Sequence, residues 1–281
     1  MQSQDKFFEF GGNRLRYRDS GHGDESDGAQ SQGPAIVFLH GWTLDLDVWE
    51  PQAAELARSF RVIRLDRRGF GLSSGRPGSA DDVRDLRGLL DLLGLPKVTV
   101  VGMSQGARAA LSFALASPDR ISGLVLDGPP SYAASSETGA DEDLSFARYR
   151  ELVRTAGIDA FRREWQDHPF VRLRTNDPDA RKLLTRMLAR YPGRDLDESP
   201  PIANQAIDAR SLTTLHKPVL VLNGEFDTDS RKRAGDVLHR TLPLAARVLV
   251  PNAGHLSNLD NPQIYNDLIR DFVQHQARAA A

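Results

Sequence analysis

Apolar residues are distributed along the chain in two alternating patterns. Short runs of consecutive apolar and often β-branched residues are separated by longer segments in which apolar residues recur every three or four positions. The short runs predict strands buried on both faces, and the longer segments predict amphipathic helices. Strands are predicted at 35–40, 61–65, 97–101, 121–127, 217–224 and 246–251, and helices at 48–60, 81–94, 107–117, 231–241 and from about 262. This alternation predicts an α/β fold with a mostly parallel central sheet and helices on both faces.

Two parts of the chain depart from this alternation. The segment FFEFGGNRLRYRDS has two stretches of alternating polarity joined at GGN, which predicts a β-hairpin. Residues 131–210 contain helical patterns, such as FARYRELVRTA and ARKLLTRMLARY, but no convincing strand. We therefore expect a core of residues 1–130 and 211–281, with residues 131–210 inserted as a helical cap.

Composition narrows the range of partners. The 281 residues carry a formal net charge of -2, so no global field would attract nucleic acid or an anionic membrane surface. The absence of cysteine excludes disulfides and thiolate chemistry, and the scattered histidines predict neither a metal site nor a cofactor. The N-terminal segment does not resemble a signal peptide, and no apolar stretch is long enough to span a bilayer. We expect a cytoplasmic protein, monomeric or homodimeric, that acts on a small molecule.

The segment VTVVGMSQGARAAL places a serine between a predicted strand and a predicted helix. Gly102 and Gly106 flank Ser104 in the pattern G-x-S-x-G. The glycines allow strand and helix to pass closely, and the hydroxyl would project at the carboxyl edge of the sheet, where parallel sheets bind ligands. This pattern also occurs often by chance, and a serine hydroxyl is a poor nucleophile without a base and an acid.

The nucleophile-elbow pattern expects the order serine, carboxylate, histidine. Of the seven histidines, His255 follows the last predicted strand and lies after Ser104 at the same sheet edge, so it is the predicted base. Asp227 follows the strand at 217–224 and is the predicted acid, with Asp229 and Asp127 as the alternatives.

An acyl-transfer site also needs backbone N–H groups that stabilise an oxyanion. Gln105 follows the predicted nucleophile and is expected to supply one of them. The segment FLHGW, after an early strand, offers the other, and Trp42 is the expected donor because Gly41 permits the required backbone path.

Five segments resemble the α/β-hydrolase fold superfamily, in its serine-nucleophile branch of carboxylesterases and enol-lactonases. They are LHGW, DRRGFGLSSG, GMSQG, GEFD and AGHLSNLDNP, and in this order they span nearly the whole chain. The resemblance implies the α/β-hydrolase fold, with Ser104 as nucleophile, Asp227 as orienting acid and His255 as base. It also implies that the cap binds the substrate.

The function expected from this resemblance is hydrolysis of a small carboxylic ester or lactone through an acyl-serine intermediate. Many relatives have a second glycine after the elbow, where this chain has Ala107 followed by Arg108. An arginine at this place, together with EWQDHPF in the cap, looks instead like the menaquinone-pathway lyase, which eliminates pyruvate from an anionic substrate. Against that lyase, SYAASSETGADEDLSF has no arginine to bind further carboxylates. A carbon–carbon bond hydrolase with the same triad and a non-catalytic small-molecule receptor are two further candidates.

Arg108, Trp165 and His168 are the candidate substrate-binding residues. Arg108 lies one helical turn after the serine, so it either faces the pocket and binds a carboxylate or has a structural role. Trp165 and His168 occur with Phe170 in one cap segment and would set the substrate range. For Trp165 and Phe170, packing of the cap on the core is the alternative.

Overall fold

One sheet organises the chain, and the computed structural model describes residues 4–21, 34–132, 144–196 and 207–280. Eight strands of the described residues form this sheet in the order β1-β2-β4-β3-β5-β6-β7-β8. Their bounds are β1 Lys6–Phe10, β2 Asn13–Asp19, β3 Ala35–Leu39, β4 Arg61–Leu65, β5 Val98–Met103, β6 Ile121–Asp127, β7 Val219–Gly224 and β8 Ala245–Val250.

The pairing of the strands confirms the predicted fold class. β1 and β2 form the predicted antiparallel hairpin, and β2 joins the sheet by pairing antiparallel to β4. From β4 through to β8 all neighbouring strands are parallel. Consequently, β3, β5, β6, β7 and β8 all point their carboxyl ends at one edge of the sheet.

Helices connect the strands, and the sheet divides the core into two layers. Along β3, Ile36 and Phe38 pack into one hydrophobic cluster, whereas Val37 and Leu39 pack into the other, as the alternation of a strand requires. The helices of the core are α1 (Glu50–Leu56), α2 (Ser79–Leu92), α3 (Gln105–Ala116), and, after the cap insertion, α8 (Asp229–Thr241), α9 (Ser257–Asp260) and α10 (Pro262–Ala280). None of the helices in the described residues is long and apolar enough to cross a membrane.

Two local predictions differ from the structure. The helix predicted at 48–60 is divided into a 3₁₀ turn at Leu46–Trp49 and the shorter α1. Pro51 is tolerated there because a proline in the first turn of a helix gives up an N–H group that would have no intrahelical partner. The short helix α9 was not predicted, because four residues are too few to show a helical period.

The chain between β6 and β7, where the cap is predicted, contains helices but no strand in its described residues. These helices are α4 (Phe146–Ala156), α5 (Ile158–Trp165), α6 (Pro178–Arg190) and α7 (Ala209–Thr213), which extends past the predicted limit at 210. Arg190 at the end of α6 attaches the cap to the core, because its guanidinium lies 2.5 Å from the carboxylates of both Asp45 and Asp47. The exact limits of the cap, 131 and 210, stay predictions.

The two glycines of the G-x-S-x-G segment lie where the backbones of β3, β5 and α3 approach most closely. A Cβ atom on Gly106 would lie 2.3 Å from the carbonyl oxygen of Leu39, and one on Gly102 would lie 2.3 Å from the carbonyl oxygen of Gly106. Both contacts are with backbone, which cannot move aside as a side chain could. Glycine is therefore required at both positions for steric reasons.

We expect Gly106→Ala to lower the free energy of unfolding by about 3 kcal/mol or more, because the methyl group overlaps fixed backbone atoms. Gly12→Ala is the control: an added Cβ there meets nothing within 4 Å, so it should cost only about 1 kcal/mol for its positive φ. Urea unfolding of both variants measures the difference, and equal losses would contradict the steric explanation.

Candidate active site

Ser104 occupies the sharp turn between β5 and α3. Its backbone has φ 53° and ψ -118°, a conformation that non-glycine residues rarely adopt. The Ser104 N–H group donates a 2.7 Å hydrogen bond to the carbonyl oxygen of Asp127 at the end of β6, which helps to hold the turn. Such strained positions persist only where the surrounding structure holds them, and they are found mostly at functional sites.

His255 and Asp227 lie in the loops that follow β8 and β7. Nδ1 of His255 lies 2.9 Å from Oδ1 of Asp227, and since a carboxylate only accepts, the imidazole N–H donates. Burial alone would raise the pKa of Asp227, but the nearby His255 and the hydrogen bonds from His255, Thr228 N–H and Asn223 lower it overall. Asp227 is therefore ionised and fixes the imidazole tautomer that leaves Nε2 as an acceptor.

The imidazole and the serine share one cavity. Ser104 and His255 both line it, and Nε2 of His255 is buried without a hydrogen-bond partner in the described part of the chain. Hydrogen bonds between a nucleophile and its base are often long or misaligned before substrate binds. The structure thus brings Ser104, Asp227 and His255 together in the expected order, with the acid on the far nitrogen of the base.

The two alternative acids have other partners. Asp229 begins α8 with its side chain 82% exposed, and its carboxylate lies 3.1 Å from Nζ of Lys232. Asp127 accepts hydrogen bonds of 3.0 Å from the Ser257 hydroxyl on both of its oxygens. Burial raises the pKa of Asp127 well above its ordinary value, whereas the pKa of Asp227 is lowered, and this contrast favours Asp227 as the acid.

The segment after β3 packs directly against the serine. A Cβ on Gly41 would lie 3.3 Å from Cβ of Ser104, and Trp42 lines the cavity. His40 is fully buried and holds this segment: its Nε2 accepts from the Arg67 N–H at 3.0 Å, and its Nδ1 lies 2.8 Å from the carbonyl oxygen of Gly41. His40, two positions before Trp42, therefore holds this segment through hydrogen bonds at both of its ring nitrogens.

Arg67 connects this segment with the start of α3. Its guanidinium donates to the side-chain oxygen of Gln105 at 2.7 Å and binds the carboxylate of Asp82 through two nitrogens. Arg67 thus bonds directly to Gln105, one predicted oxyanion donor, and to His40, which lies two positions before Trp42, the other predicted donor. The sequence assigned no role to His40 or Arg67, although His40 lies in the LHGW segment and Arg67 in the DRRGFGLSSG segment.

The cavity at Ser104 is small and mostly apolar. Its volume is about 20 Å³, room for one or two water molecules. Trp42 and Trp165 line it, so Trp165, a candidate substrate-binding residue of the predicted cap, lies in the same cavity as Ser104. The remaining apolar lining consists of Leu44, Met103, Leu144, Phe170, Val171 and Leu256.

The imidazole of His255 is covered by the cap. Phe170 stacks on it with a ring-centroid distance of 4.2 Å, and the Arg231 guanidinium lies 4.6 Å from the centroid of the Phe170 ring. Phe170 therefore does pack the cap on the core, and it does so on the predicted base itself.

Arg108 and His168 are not among the residues that line the cavity. Arg108 donates to the carbonyl oxygen of Ser131 at 2.7 Å, and its guanidinium lies 5.1 Å from the centroid of the Tyr132 ring. His168 stacks on Trp165 at 4.3 Å, and its Nδ1 accepts from the Phe170 N–H. In the described structure both side chains contact other residues, and neither lines the cavity at the serine.

This arrangement of serine, imidazole and carboxylate on a parallel sheet can be compared with known proteins. A family profile for the alpha/beta hydrolase fold matches residues 34–262. The chain belongs to the α/β-hydrolase family.

Relatives of this α/β-hydrolase differ in what they are named for. It is 29% identical over 273 residues to 2-hydroxy-6-oxononadienedioate/2-hydroxy-6-oxononatrienedioate hydrolase 2 of Pseudomonas putida, covering 93% of this chain and 92% of that protein. It is 24% identical over 263 residues to a putative 2-succinyl-6-hydroxy-2,4-cyclohexadiene-1-carboxylate synthase of Bacillus subtilis, covering 88% and 93%. A thermophilic esterase of Thermogutta terrifontis, solved with malate bound, is similar with TM-score 0.79 and 28% identity, covering 98% and 99%.

The buried His40 gives a prediction about stability and pH. Burial, followed by the charge of Arg67, lowers the pKa of His40 from 6.5 to about 3, so the folded chain keeps it neutral. Below about pH 6.5 the unfolded chain binds a proton there that the folded chain does not. The contribution of His40 to the free energy of unfolding is therefore complete above that pH. As the pH falls further, the free energy of unfolding decreases by up to about 1.4 kcal/mol per pH unit because of this group.

We expect the free energy of unfolding of His40→Gln to fall less steeply than that of the wild type between about pH 6.5 and pH 5. The glutamine oxygen can still accept from the Arg67 N–H, which keeps the loop anchored. Urea unfolding of both proteins across this range gives the two slopes. Parallel slopes would mean that His40 is protonated in the folded chain.

Proposed function

We propose that this protein hydrolyses a small, uncharged carboxylic ester or lactone through an acyl-serine intermediate. The observation that carries the proposal is the buried hydrogen bond between Asp227 and His255, whose imidazole lines the same mostly apolar cavity as Ser104. A serine on a strained turn, a base with a free acceptor nitrogen and an ionised acid on its other nitrogen are the parts that acyl transfer to serine requires.

In the first half of the reaction, Nε2 of His255 takes the hydroxyl proton while the oxygen of Ser104 attacks the ester carbonyl. Asp227 accepts the Nδ1 hydrogen bond and stabilises the imidazolium that forms. The carbonyl oxygen becomes an oxyanion, which the N–H groups of Trp42 and Gln105 stabilise. Collapse of the tetrahedral intermediate expels the alcohol, which takes the proton from His255.

In the second half, water replaces the alcohol. His255 now removes a proton from the water, which attacks the acyl group, and the same two N–H groups receive the second oxyanion. The imidazolium returns its proton to the oxygen of Ser104, and the carboxylic acid leaves. For a lactone, the alcohol and the acid are parts of one product.

The charge of the cavity lining supports an uncharged substrate. All 36 lysines and arginines of the chain lie in the described residues, and none of them lines the cavity at Ser104. Residues 133–143 and 197–206 of the cap contain acidic residues but no basic ones. A substrate carboxylate would therefore lose its hydration without gaining a charged partner.

The names of the relatives favour a second candidate. The Bacillus synthase and the Pseudomonas hydrolase are both named for carboxylated compounds, and each is similar to this chain over most of its length. A lyase or a carbon–carbon bond hydrolase is therefore the alternative, using the same triad. The two candidates differ in the charge of the substrate, and that difference can be measured.

We expect Asp227→Asn to lower kcat for a chromogenic short-chain ester by about 10³–10⁴-fold, because the imidazole loses its fixed tautomer. The matched control Asp229→Asn should keep wild-type activity, since Asp229 is exposed and lies on another element. Ser104→Ala gives the baseline and should also abolish covalent labelling by a serine-directed phosphonate. Retention of labelling in Ser104→Ala would contradict the proposed nucleophile, and a wild-type protein that is neither labelled nor active would favour a receptor.

We expect the wild type to hydrolyse a neutral ester with a higher kcat/KM than its carboxylated analogue. Arg108→Gln should leave this preference unchanged, because the Arg108 guanidinium contacts Ser131 and Tyr132 instead of the cavity. The kinetics of both esters, of the synthase substrate and of a dienedioate substrate would be compared side by side. Faster elimination of pyruvate, or faster carbon–carbon cleavage, would establish the alternative reaction.

A further inference from the structure

Two consecutive residues of the loop beside Ser104 are held by the cap. The indole N–H of Trp42 donates to Oδ2 of Asp195 at 2.5 Å, and the indole N–H of Trp165 donates to the Thr43 hydroxyl at 2.8 Å. Asp195 and Trp165 lie 153 and 122 positions along the chain from their partners. The core thus provides this loop, while cap side chains hold it from the other side.

The backbone of Thr43 explains why such a hold is needed. Thr43 has φ 63°, in the left-handed region that β-branched residues avoid. A residue in such a conformation costs free energy, and it persists only when the surrounding structure holds it there. Thr43 is 1% exposed, so its hydrogen bond with Trp165 is shielded from competition with water.

The contacts of Trp42 are equally extensive. Asp195 is buried, and its second oxygen accepts from the Tyr191 hydroxyl at 2.5 Å, so the carboxyl is fixed before it meets the indole. The Trp42 ring also packs edge-on against Trp165, with centroids 4.7 Å apart and planes at 70°. Two cap residues therefore determine where the Trp42 side chain lies.

We propose that Trp165 and Asp195 are positioning residues that complete the oxyanion hole when the cap is docked on the core. The inference rests on the proposed function, because it assigns the Trp42 N–H to the oxyanion. Gly41 packs against Ser104, so a shift of the backbone that continues from it through Trp42 to Thr43 moves that N–H relative to the nucleophile. A substrate that keeps the cap from docking would then bind yet react slowly.

Thr43 provides the sharpest test because it does not line the cavity. Thr43→Val keeps the shape and the branched Cβ but cannot accept the hydrogen bond from Trp165, whereas Thr43→Ser can. Trp165→Phe removes the donor from the other side. Tyr149→Phe is the control for the aromatic cluster: Tyr149 packs against both indoles but gives no hydrogen bond to the loop.

Steady-state kinetics with a short-chain ester separate positioning from substrate binding. We expect Thr43→Val to lower kcat by about tenfold or more, toward the loss of about 10²–10³-fold that removal of a whole oxyanion donor causes. KM should stay within about twofold, since the interaction acts in the transition state. Trp165→Phe should also lower kcat. The double variant should be only slightly less active than the less active of the two single variants, because both changes break the same hydrogen bond. Thr43→Ser should restore most of the activity.

Amide hydrogen exchange of the peptide 40–48 reports on the loop whether or not the ester is a substrate. Faster exchange in Thr43→Val and Trp165→Phe, but not in Tyr149→Phe, supports the proposed positioning of the loop. This holds even if the wild type fails to hydrolyse the ester, because that failure would contradict only the proposed function. Unchanged exchange overturns the proposal, including when kcat falls, since the loss would then have another cause. A Thr43→Val variant with wild-type kcat in an active enzyme overturns it too.

Discussion

The contact between the first turn of α3 and the end of β3 determines where the groups of the site lie. Gly106 brings the helix backbone against the carbonyl oxygens of Leu39 and His40, closer than any side chain would permit. The turn that carries Ser104 and the segment that carries Trp42 therefore line the same cavity. Asp227 and His255 reach the same place because β7 and β8 run parallel to β5 and end at the same edge.

Polar groups near this contact bond to one another, whereas the cavity is mostly apolar. His40 and Arg67 form a hydrogen bond in the core, and Asp195 and Tyr191 form one in the predicted cap. Electrostatic interactions are stronger in such an environment, because little water is present to screen them. The ionised Asp227 and the donors of the proposed oxyanion hole would therefore act with greater effect here than at an open surface.

The sequence predicted most of the sheet and the placement of the serine, acid and base, because these depend on local periodicity and on one rule about sheet edges. The contacts of the cap could not be predicted in this way. The bond between Trp42 and Asp195 joins segments 153 positions apart and depends on how the cap docks, which no periodicity encodes. Similarly, the spacing of four residues locates Arg108 on α3 but not the neighbour that covers it, which is Tyr132.

The small cavity has a consequence for the rate of turnover. With room for only one or two water molecules it is smaller than an ester, so side chains that line it would have to move for a substrate to enter. The apparent affinity for any ligand is then reduced by the fraction of molecules in the open form. Two esters of equal reactivity would differ in kcat/KM according to how far each requires the cap to open. Selectivity in this hydrolase would thus depend on the energetics of opening as much as on contacts with the bound substrate.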